Sequence, residues 1–263
     1  MDPHLLVDKQ GPVVTVTMNR PEARNAFSPE MMARMADAWD MIDSDPEVRV
    51  AILTGAQGHF SAGADLKLMA SGWSDEVWSP RFKKDPDLHW KGLLRHYRLK
   101  KPLIAAVEGI AIAGGTEILQ ATDIRVAAQS ARFGIAEARW GLFPLGGSTV
   151  RLRRQIPQTI ALELLLTGRQ VSAEEALRYG LVGRVVPDSN ALPEAQKIAA
   201  QIAENGPLAV QAIKHSFFET AGLPEKEALA RELEIGWPIL QSEDAKEGPR
   251  AFAEKRKPVW KGR

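Results

Sequence analysis

The sequence predicts an α/β fold, in which short buried strands alternate with amphipathic helices. Residues 48–54, 102–107 and 123–128 are nearly all-apolar runs, which is typical of strands buried on both faces of a parallel sheet. Helical patterns alternate with these runs and continue toward the C-terminus. The chain has 263 residues, of which 44% are hydrophobic and 25% are charged, so it can bury a substantial core.

The N-terminal part supplies the first strand and the first helix. Residues 14–18 alternate β-branched and other side chains, which predicts a strand. Ser28 is placed as an N-cap, with Pro29 as the first helical residue. Apolar residues then recur near the 3.6-residue period and predict a helix with its apolar stripe inward: Met32, Met35, Ala36, Trp39 and Ile42.

Two stretches depart from the alternating pattern. Residues 71–90 hold three tryptophans and two prolines among mixed charges, which predicts a long irregular or partly helical loop. Further along, three segments rich in Ala, Leu, Glu and Lys are predicted helices: 194–204, 207–220 and 224–236. We therefore expect a core over residues 1–192 and a C-terminal helical subdomain over residues 193–263.

The composition excludes several classes of site. The absence of cysteine excludes disulfides, thiolate metal sites and a cysteine nucleophile, and no two of the five histidines have helical zinc-site spacing. A net charge of +1 without a basic run argues against nucleic-acid or membrane-surface binding. The N-terminus does not resemble a signal peptide, and residues 102–115 are too short for a membrane helix. We expect a cytoplasmic protein with no metal site.

Two segments that follow predicted strands contain small residues suited to binding an anion. In residues 60–66 (FSAGADL), small side chains let a ligand approach the backbone N–H groups closely. In residues 112–117 (IAGGTE), a glycine pair opens a helix and Glu117 falls in its first turn. Helix capping alone would also explain Glu117 at that position.

A third segment, residues 133–137 (FGIAE), adds a second glutamate. Glu137 lies in an apolar, glycine-flanked setting, where a raised pKa would suit a proton donor; an exposed loop glutamate is the alternative. The glycines at 146 and 147 are not followed by the Lys of a P-loop, and the Gly-x-Ser-x-Gly pattern of serine hydrolases is absent. Two backbone-donor turns and two glutamates together are suited to chemistry through an enolate.

The motifs of the chain resemble those of the crotonase, or enoyl-coenzyme A hydratase/isomerase, superfamily from about residue 12 to the C-terminus. The resemblance rests on these stretches in chain order: 19–27 (NRPEARNAF), 60–66, 102–117, 123–127, 133–137, 167–176 (TGRQVSAEEA), 180–187 (GLVGRVVP) and 252–256 (FAEKR). It implies a spiral of ββα units with a C-terminal helical region that forms a homotrimer, often as a dimer of trimers. It also implies acyl-coenzyme A substrates, so that coenzyme A is part of the substrate and no separate cofactor is needed.

The resemblance also implies roles for particular residues. The backbone N–H groups of Ala64 and Gly114 would form the oxyanion hole. Glu117 would position and deprotonate a water for attack at Cβ, and Glu137 would protonate Cα, although their division of roles is less firmly implied than their involvement. Residues implied in coenzyme A binding are Ala23, Ala62, Asp65, Leu66 and Lys67, together with Phe252 and Lys255, which in the family often come from a neighbouring subunit.

With both glutamates present, the resemblance implies a hydratase that adds water to a 2-trans-enoyl-CoA, giving a 3-hydroxyacyl-CoA as in fatty acid β-oxidation. Three positions depart from the usual pattern: Ala113 and Leu145 stand where glycine is common, and Ala136 stands where proline is common. Two alternatives stay open. One is another crotonase reaction, such as enoyl-CoA isomerisation or a specialised dehydration, and the other is a non-catalytic coenzyme A- or RNA-binding paralogue.

Overall fold

The computed structural model describes residues 2–73 and 75–263 and shows two β-sheets surrounded by helices. The strands are β1 Leu5–Gln10, β2 Val13–Met18, β3 Val50–Gly55, β4 Leu103–Val107, β5 Ile110–Ile112, β6 Ile124–Ala128, β7 Arg132–Gly134, β8 Gln170–Ser172 and β9 Arg184–Val186. The helices are α1 Pro29–Ser44, α2 Leu66–Ala70, α3 Ser79–Lys84, α4 Leu88–Gly92, α5 Gly114–Leu119, α6 Ser148–Arg151, α7 Gln158–Thr167, α8 Ala173–Tyr179, α9 Ala191–Ala203, α10 Pro207–Glu219, α11 Glu225–Leu240 and α12 Glu243–Ala253.

The larger sheet has six strands in the order β1-β2-β3-β4-β6-β9. Its pairs are parallel except for the antiparallel pair of β1 and β2. The smaller sheet has the order β5-β7-β8. The parallel strands of the larger sheet are connected through helices, so the α/β class predicted from the sequence is confirmed.

Most predicted elements are present, with their ends shifted by one to four residues. The three apolar runs form β3, β4 and β6, and Ser28 caps α1 by accepting a hydrogen bond from the Met31 N–H at 3.1 Å. The Trp-rich segment is partly helical, as expected, because it contains α3 and most of α4. Sequence reasoning missed β1, the three short strands of the smaller sheet and the short strand β9. Except for Leu5, the residues of β1 are exposed, and strands of three residues give no measurable periodicity.

Helix α9 packs across one face of the larger sheet. Its buried alanines recur every four residues and contact the buried side chains of β3, β4 and β6: Ala191, Ala195, Ala199 and Ala203. The small side chains let the helix lie close to the sheet. The expected boundary between residues 192 and 193 therefore falls inside α9, and the division into two domains stays a prediction.

Helix α1 belongs to the other main core cluster and carries larger side chains. Met31, Met35 and Trp39 are fully buried there. The Trp39 indole N–H donates to the Gly92 carbonyl at 2.9 Å, so α1 is tied to the last residue of α4. Within the described residues, no helix is long and apolar enough to cross a membrane.

Asn25 links the loop after β2 to the loop after β3. Its side chain accepts a hydrogen bond from the Arg20 N–H at 2.9 Å and donates to the carbonyls of Ala56 and His59 at 2.9 and 2.7 Å. The residue is fully buried, and its φ of +54° is one that asparagine adopts more readily than most residues. The Ser61 hydroxyl then donates to the Asn25 backbone carbonyl at 2.8 Å. Asn25 therefore holds the start of the 60–64 segment in position through both its side chain and its backbone.

We expect Asn25→Ala to lower the free energy of unfolding by about 2–4 kcal/mol, because three buried backbone groups lose their partner. Urea unfolding followed by circular dichroism measures the loss. Asn205→Ala is the matched control, since Asn205 is exposed and its change should stay within about 0.5 kcal/mol. Equal effects of the two substitutions would contradict the structural role assigned to Asn25.

Candidate active site

A cavity of about 670 Å³ lies where the loops after β2, β3 and β5 meet the segments around α3 and α4. Its walls are mainly apolar and aromatic: Phe27, Met32, Phe82, Trp90, Leu93 and Phe143. The backbones of Ala64 and Gly114 and the side chains of Glu117 and Glu137 also line it. The structure therefore brings together all four residues for which chemistry was expected.

Ala64 and Gly114 are adjacent because their two loops are in backbone contact. A Cβ added to Gly63 would lie 2.6 Å from the Gly114 nitrogen, and one added to Gly115 would lie 2.4 Å from the Ser61 carbonyl oxygen. Glycine is needed at 63 for a second reason, its φ of +82°. In residues 2–73 and 75–263, neither the Ala64 N–H nor the Gly114 N–H donates a hydrogen bond, so both are available to a ligand oxygen.

Ala113, the residue before Gly114, has a strained backbone conformation, with φ +52° and ψ −124°. Such a backbone suits glycine, which is the residue that the resemblance predicts there. The Ala113 N–H donates to the Gly134 carbonyl at 2.8 Å, and the Thr116 hydroxyl bonds to the same carbonyl at 3.0 Å and to that of Ala111 at 2.5 Å. These bonds hold the turn in place despite the extra methyl group.

Glu117 is buried, and both of its carboxylate oxygens are bonded to backbone. Oε2 accepts a hydrogen bond from the Gly146 N–H at 3.0 Å, and Oε1 accepts one from the Ser148 N–H at 3.2 Å. A Cβ on residue 146 would lie 2.5 Å from Oε2, so a side chain there would displace the carboxylate. Burial raises the pKa of Glu117, while the two N–H donors and the charge of Arg151 act to lower it. Capping of α5 alone does not explain this arrangement.

Glu137 has a different environment, at the start of the 3-10 turn Glu137–Trp140. The residue is only 8% exposed, and its Oε2 is buried with no hydrogen-bond partner among the described residues. Burial, followed by the neighbouring charge of Glu117, raises the pKa of Glu137 to about 7. Of the two alternatives that the sequence left open, the structure therefore shows the buried glutamate and not the exposed one. A substantial fraction of Glu137 is therefore protonated at neutral pH.

The residues expected to bind coenzyme A fall into two groups. Ala23 and Ala62 lie in adjoining loops, because the Ala62 N–H donates to the Arg24 carbonyl at 3.0 Å. Asp65 caps α2 through the N–H groups of Lys67 and Leu68 and pairs with Arg20 at 3.2 Å, whereas Leu66 and Lys67 are exposed. Ala62 and Asp65–Lys67 are neighbours of Ala64 in the chain, but none of the five residues of this group lines the cavity itself within the described part of the chain.

The second group lies at the end of α12. Phe252 on α12 is 87% exposed, and Lys255 just beyond that helix is also exposed. Neither residue lines the cavity within the described part of the chain. The roles of both groups in coenzyme A binding stay predictions.

The Trp-rich segment supplies one wall of the cavity. Trp73 and Trp90 line it, whereas Trp78 stacks against Arg34, with the guanidinium carbon 5.3 Å from the ring centre. Leu145, which replaces a common glycine, also lines the cavity and is 51% exposed.

Sequence reasoning missed Phe143 in this wall and assigned Met32 only to the core. A loop gives no periodicity from which to predict a lining residue. A helical period predicts that a side chain faces inward but does not predict that a cavity lies there.

We expect the pKa of Glu137 to fall from about 7 toward its ordinary value in Glu117→Gln, because the substitution removes a neighbouring negative charge. Carboxyl ¹³C NMR of glutamate-labelled protein, titrated from pH 3 to 9, measures the shift. Glu174→Gln is the control, because Glu174 is an exposed residue of α8, and it should leave the Glu137 titration unchanged. A Glu137 curve that does not move in Glu117→Gln would contradict the electrostatic coupling of the pair.

Comparison with known proteins agrees with the geometry. A profile of the enoyl-CoA hydratase/isomerase family matches residues 8–263. Enoyl-CoA hydratase EchA19 of Mycobacterium tuberculosis is 55% identical over 99% of this chain and 97% of its own length. Carnitinyl-CoA dehydratase of Salmonella paratyphi A is 42% identical, with 100% of both chains covered.

Solved structures show the same relationship in three dimensions. The crystal structure of enoyl-CoA hydratase EchA1 from Mycobacterium marinum matches with a TM-score of 0.90 and 43% identity over 100% of both chains. This match confirms the crotonase-like fold that the sequence motifs implied, including the C-terminal helices. The chain belongs to the enoyl-CoA hydratase/isomerase family.

Proposed function

We propose that this chain is an enoyl-CoA hydratase, which adds water across the double bond of a 2-trans-enoyl-CoA to give a 3-hydroxyacyl-CoA. The observation that carries the proposal is the unequal setting of two glutamates in one cavity. Glu117 accepts two backbone hydrogen bonds, which favour its carboxylate form, whereas Glu137 has a buried, unpartnered oxygen and a pKa raised to about 7. Two carboxyl groups with different proton affinities are suited to act as base and acid.

The N–H groups of Ala64 and Gly114 would hold the thioester carbonyl oxygen. When water adds at Cβ, the electron pair of the double bond moves toward this oxygen, which becomes the negative oxygen of an enolate. Donors already placed for that charge stabilise the transition state more than the ground state, and each contributes about 10²–10³ in rate. The mainly apolar walls exclude bulk water and so strengthen these interactions.

The two glutamates would then handle the protons. Glu117 accepts one proton from the attacking water as the oxygen–carbon bond forms at Cβ. Glu137 gives its proton to Cα as the enolate collapses, and proton exchange with solvent restores both groups. The N–H groups of Gly146 and Ser148 keep the base ionised and oriented, while the raised pKa of Glu137 keeps the acid protonated.

The active assembly we propose is a homotrimer or a dimer of trimers, with coenzyme A entering only as part of the substrate. Helices α10 and α11 support this proposal, because they carry large apolar residues that are more than half exposed in the single chain: Ile213, Phe217, Leu229, Leu233, Trp237 and Leu240. Such faces are buried when chains associate. In that assembly, Phe252 and Lys255 would contact the coenzyme A bound by a neighbouring subunit.

The 42% identity to a carnitinyl-CoA dehydratase supports a second candidate, a dehydratase for a specialised 3-hydroxyacyl-CoA. The same two glutamates would catalyse loss of water, since dehydration is the reverse of hydration. A panel of 2-enoyl, 3-enoyl and 3-hydroxyacyl thioesters of varied chain length separates the candidates. Water addition to simple 2-enoyl thioesters supports a hydratase, whereas turnover confined to one specialised 3-hydroxyacyl thioester would indicate the dehydratase. Conversion of 3-enoyl to 2-enoyl thioesters without water incorporation would indicate an isomerase.

We expect Glu137→Gln to lower kcat for crotonyl-CoA hydration by about 10²–10⁴-fold, because the amide cannot donate an acidic proton to Cα. The KM should change little, since the substitution keeps the shape of the side chain. Loss of the enoyl thioester absorbance in a stopped-flow or steady-state assay measures both constants.

Glu174→Gln is again the matched control and should retain wild-type turnover, because Glu174 is exposed on α8. Wild-type turnover in Glu137→Gln would overturn the role assigned to Glu137. A wild-type protein inactive on every 2-enoyl thioester of the panel would overturn the proposed function itself.

A further inference from the structure

Two arginines connect the turn that holds Glu117 to the segment that forms one wall of the cavity. Arg95 Nε donates to the Leu145 carbonyl at 2.7 Å. Arg151, at the end of α6, donates through Nη2 to the carbonyls of Leu94 and Arg95 at 2.5 and 2.8 Å. Its Nη1 reaches the Gly146 carbonyl at 3.4 Å, so the two guanidinium groups bridge residues 94–95 and 145–146.

The bond from Arg95 acts on the peptide group that binds Glu117. In a trans peptide, the C=O of one residue and the N–H of the next point in opposite directions. Arg95 holds the oxygen of the Leu145–Gly146 peptide, and the nitrogen of that same peptide donates to Glu117 Oε2 at 3.0 Å. The guanidinium charge also polarises the peptide and strengthens its N–H as a donor. Arg95 therefore fixes the plane of a peptide whose other side holds the carboxylate.

Arg95 is itself held by the cavity wall. The backbone N–H of Arg95 donates to the Trp90 carbonyl at 2.9 Å, and the guanidinium carbon lies 5.2 Å from the centre of the Trp90 ring. Trp90 lines the cavity. Leu94, next to Arg95, is buried and has a φ of +53°. The hydrogen bond from Arg151, which also contacts the turn at Gly146, stabilises this unusual backbone conformation.

We propose that Arg95 is a positioning residue, which orients the Leu145–Gly146 peptide so that its N–H holds Glu117 in the geometry needed to activate water. The catalytic part of this inference rests on the proposed function; the orientation of Glu117 does not. The charged groups that face Glu117 are Arg151 from α6 and Glu137 from the 3-10 turn. Arg95 acts through the peptide.

The test is Arg95→Met, which keeps an apolar stem over Trp90 and removes the donor. We expect kcat for hydration to fall about 10- to 100-fold with KM within about twofold, because a carboxylate slightly out of place slows chemistry more than binding. A weakened N–H bond should also raise the pKa of Glu117, and so move the acidic limb of the kcat/KM profile to higher pH. Arg95 is exposed, so the variant should fold with an unchanged melting temperature.

Two further variants separate positioning from general charge effects. Arg95→Lys keeps a donor and should recover part of the lost kcat. Arg98→Met removes one positive charge from the same region, yet Arg98 donates no hydrogen bond within the described residues and lies 3.3 Å from the Phe218 ring centre, so kcat should stay within about twofold.

Carboxyl ¹³C NMR of Glu117, assigned by comparison with Glu117→Gln, reads out the orientation whatever the reaction is. Arg95→Met with an unchanged kcat and an unchanged Glu117 pKa would overturn the proposal, as would an equal effect of Arg98→Met. If the wild type proves inactive on enoyl thioesters while Arg95→Met still shifts the Glu117 titration, the proposed function fails and the positioning of Glu117 by Arg95 stands.

Discussion

The site depends on one close backbone contact, between the loop that follows β3 and the turn that opens α5. Side chains at residues 63 or 115 would separate these loops, because an added Cβ would lie 2.4–2.6 Å from backbone atoms of the facing loop. Two backbone hydrogen bonds of 2.9 Å keep the loops in register: the Ser61 N–H donates to the Ile110 carbonyl, and the Ile112 N–H donates to the Ser61 carbonyl. With the loops in contact, the N–H groups of Ala64 and Gly114, which come from distant parts of the chain, can both donate to one ligand oxygen in the cavity.

The pKa values of the two buried glutamates differ because the fold gives them different numbers of hydrogen-bond donors. Both glutamates lose water, which by itself raises the pKa of each. Both oxygens of Glu117 accept backbone N–H groups, from Gly146 and Ser148, which offset much of this burial. At Glu137 backbone donors offset less, and Oε2 has no partner among the described residues. The negative charge that Glu117 retains then acts on Glu137. One structural asymmetry therefore separates the proton affinities of the two carboxyl groups, which is what the proposed base and acid require.

Much of this could be predicted from the sequence, and the exceptions have physical reasons. Glu117 and Glu137 were recognisable because each follows glycine and apolar residues after a strand, although that local pattern left open whether either carboxyl group is buried. The contact of Arg95 with residue 145 joins positions 50 apart, and an exposed arginine in a loop gives no periodic signal of its partner. Residues such as Phe143 line the cavity through tertiary placement of a loop, which local pattern does not determine.

The unpartnered oxygen of Glu137 also has a consequence for the stability of the protein. The folded chain keeps the proton on this group up to about pH 7, whereas an unfolded chain releases it near 4.5, so stability falls as pH rises between these values. The loss amounts to about 3 kcal/mol, a large part of the net stability of an ordinary domain. A neutral residue at position 137 would not carry this pH-dependent loss, so a glutamate there costs the protein stability at neutral pH.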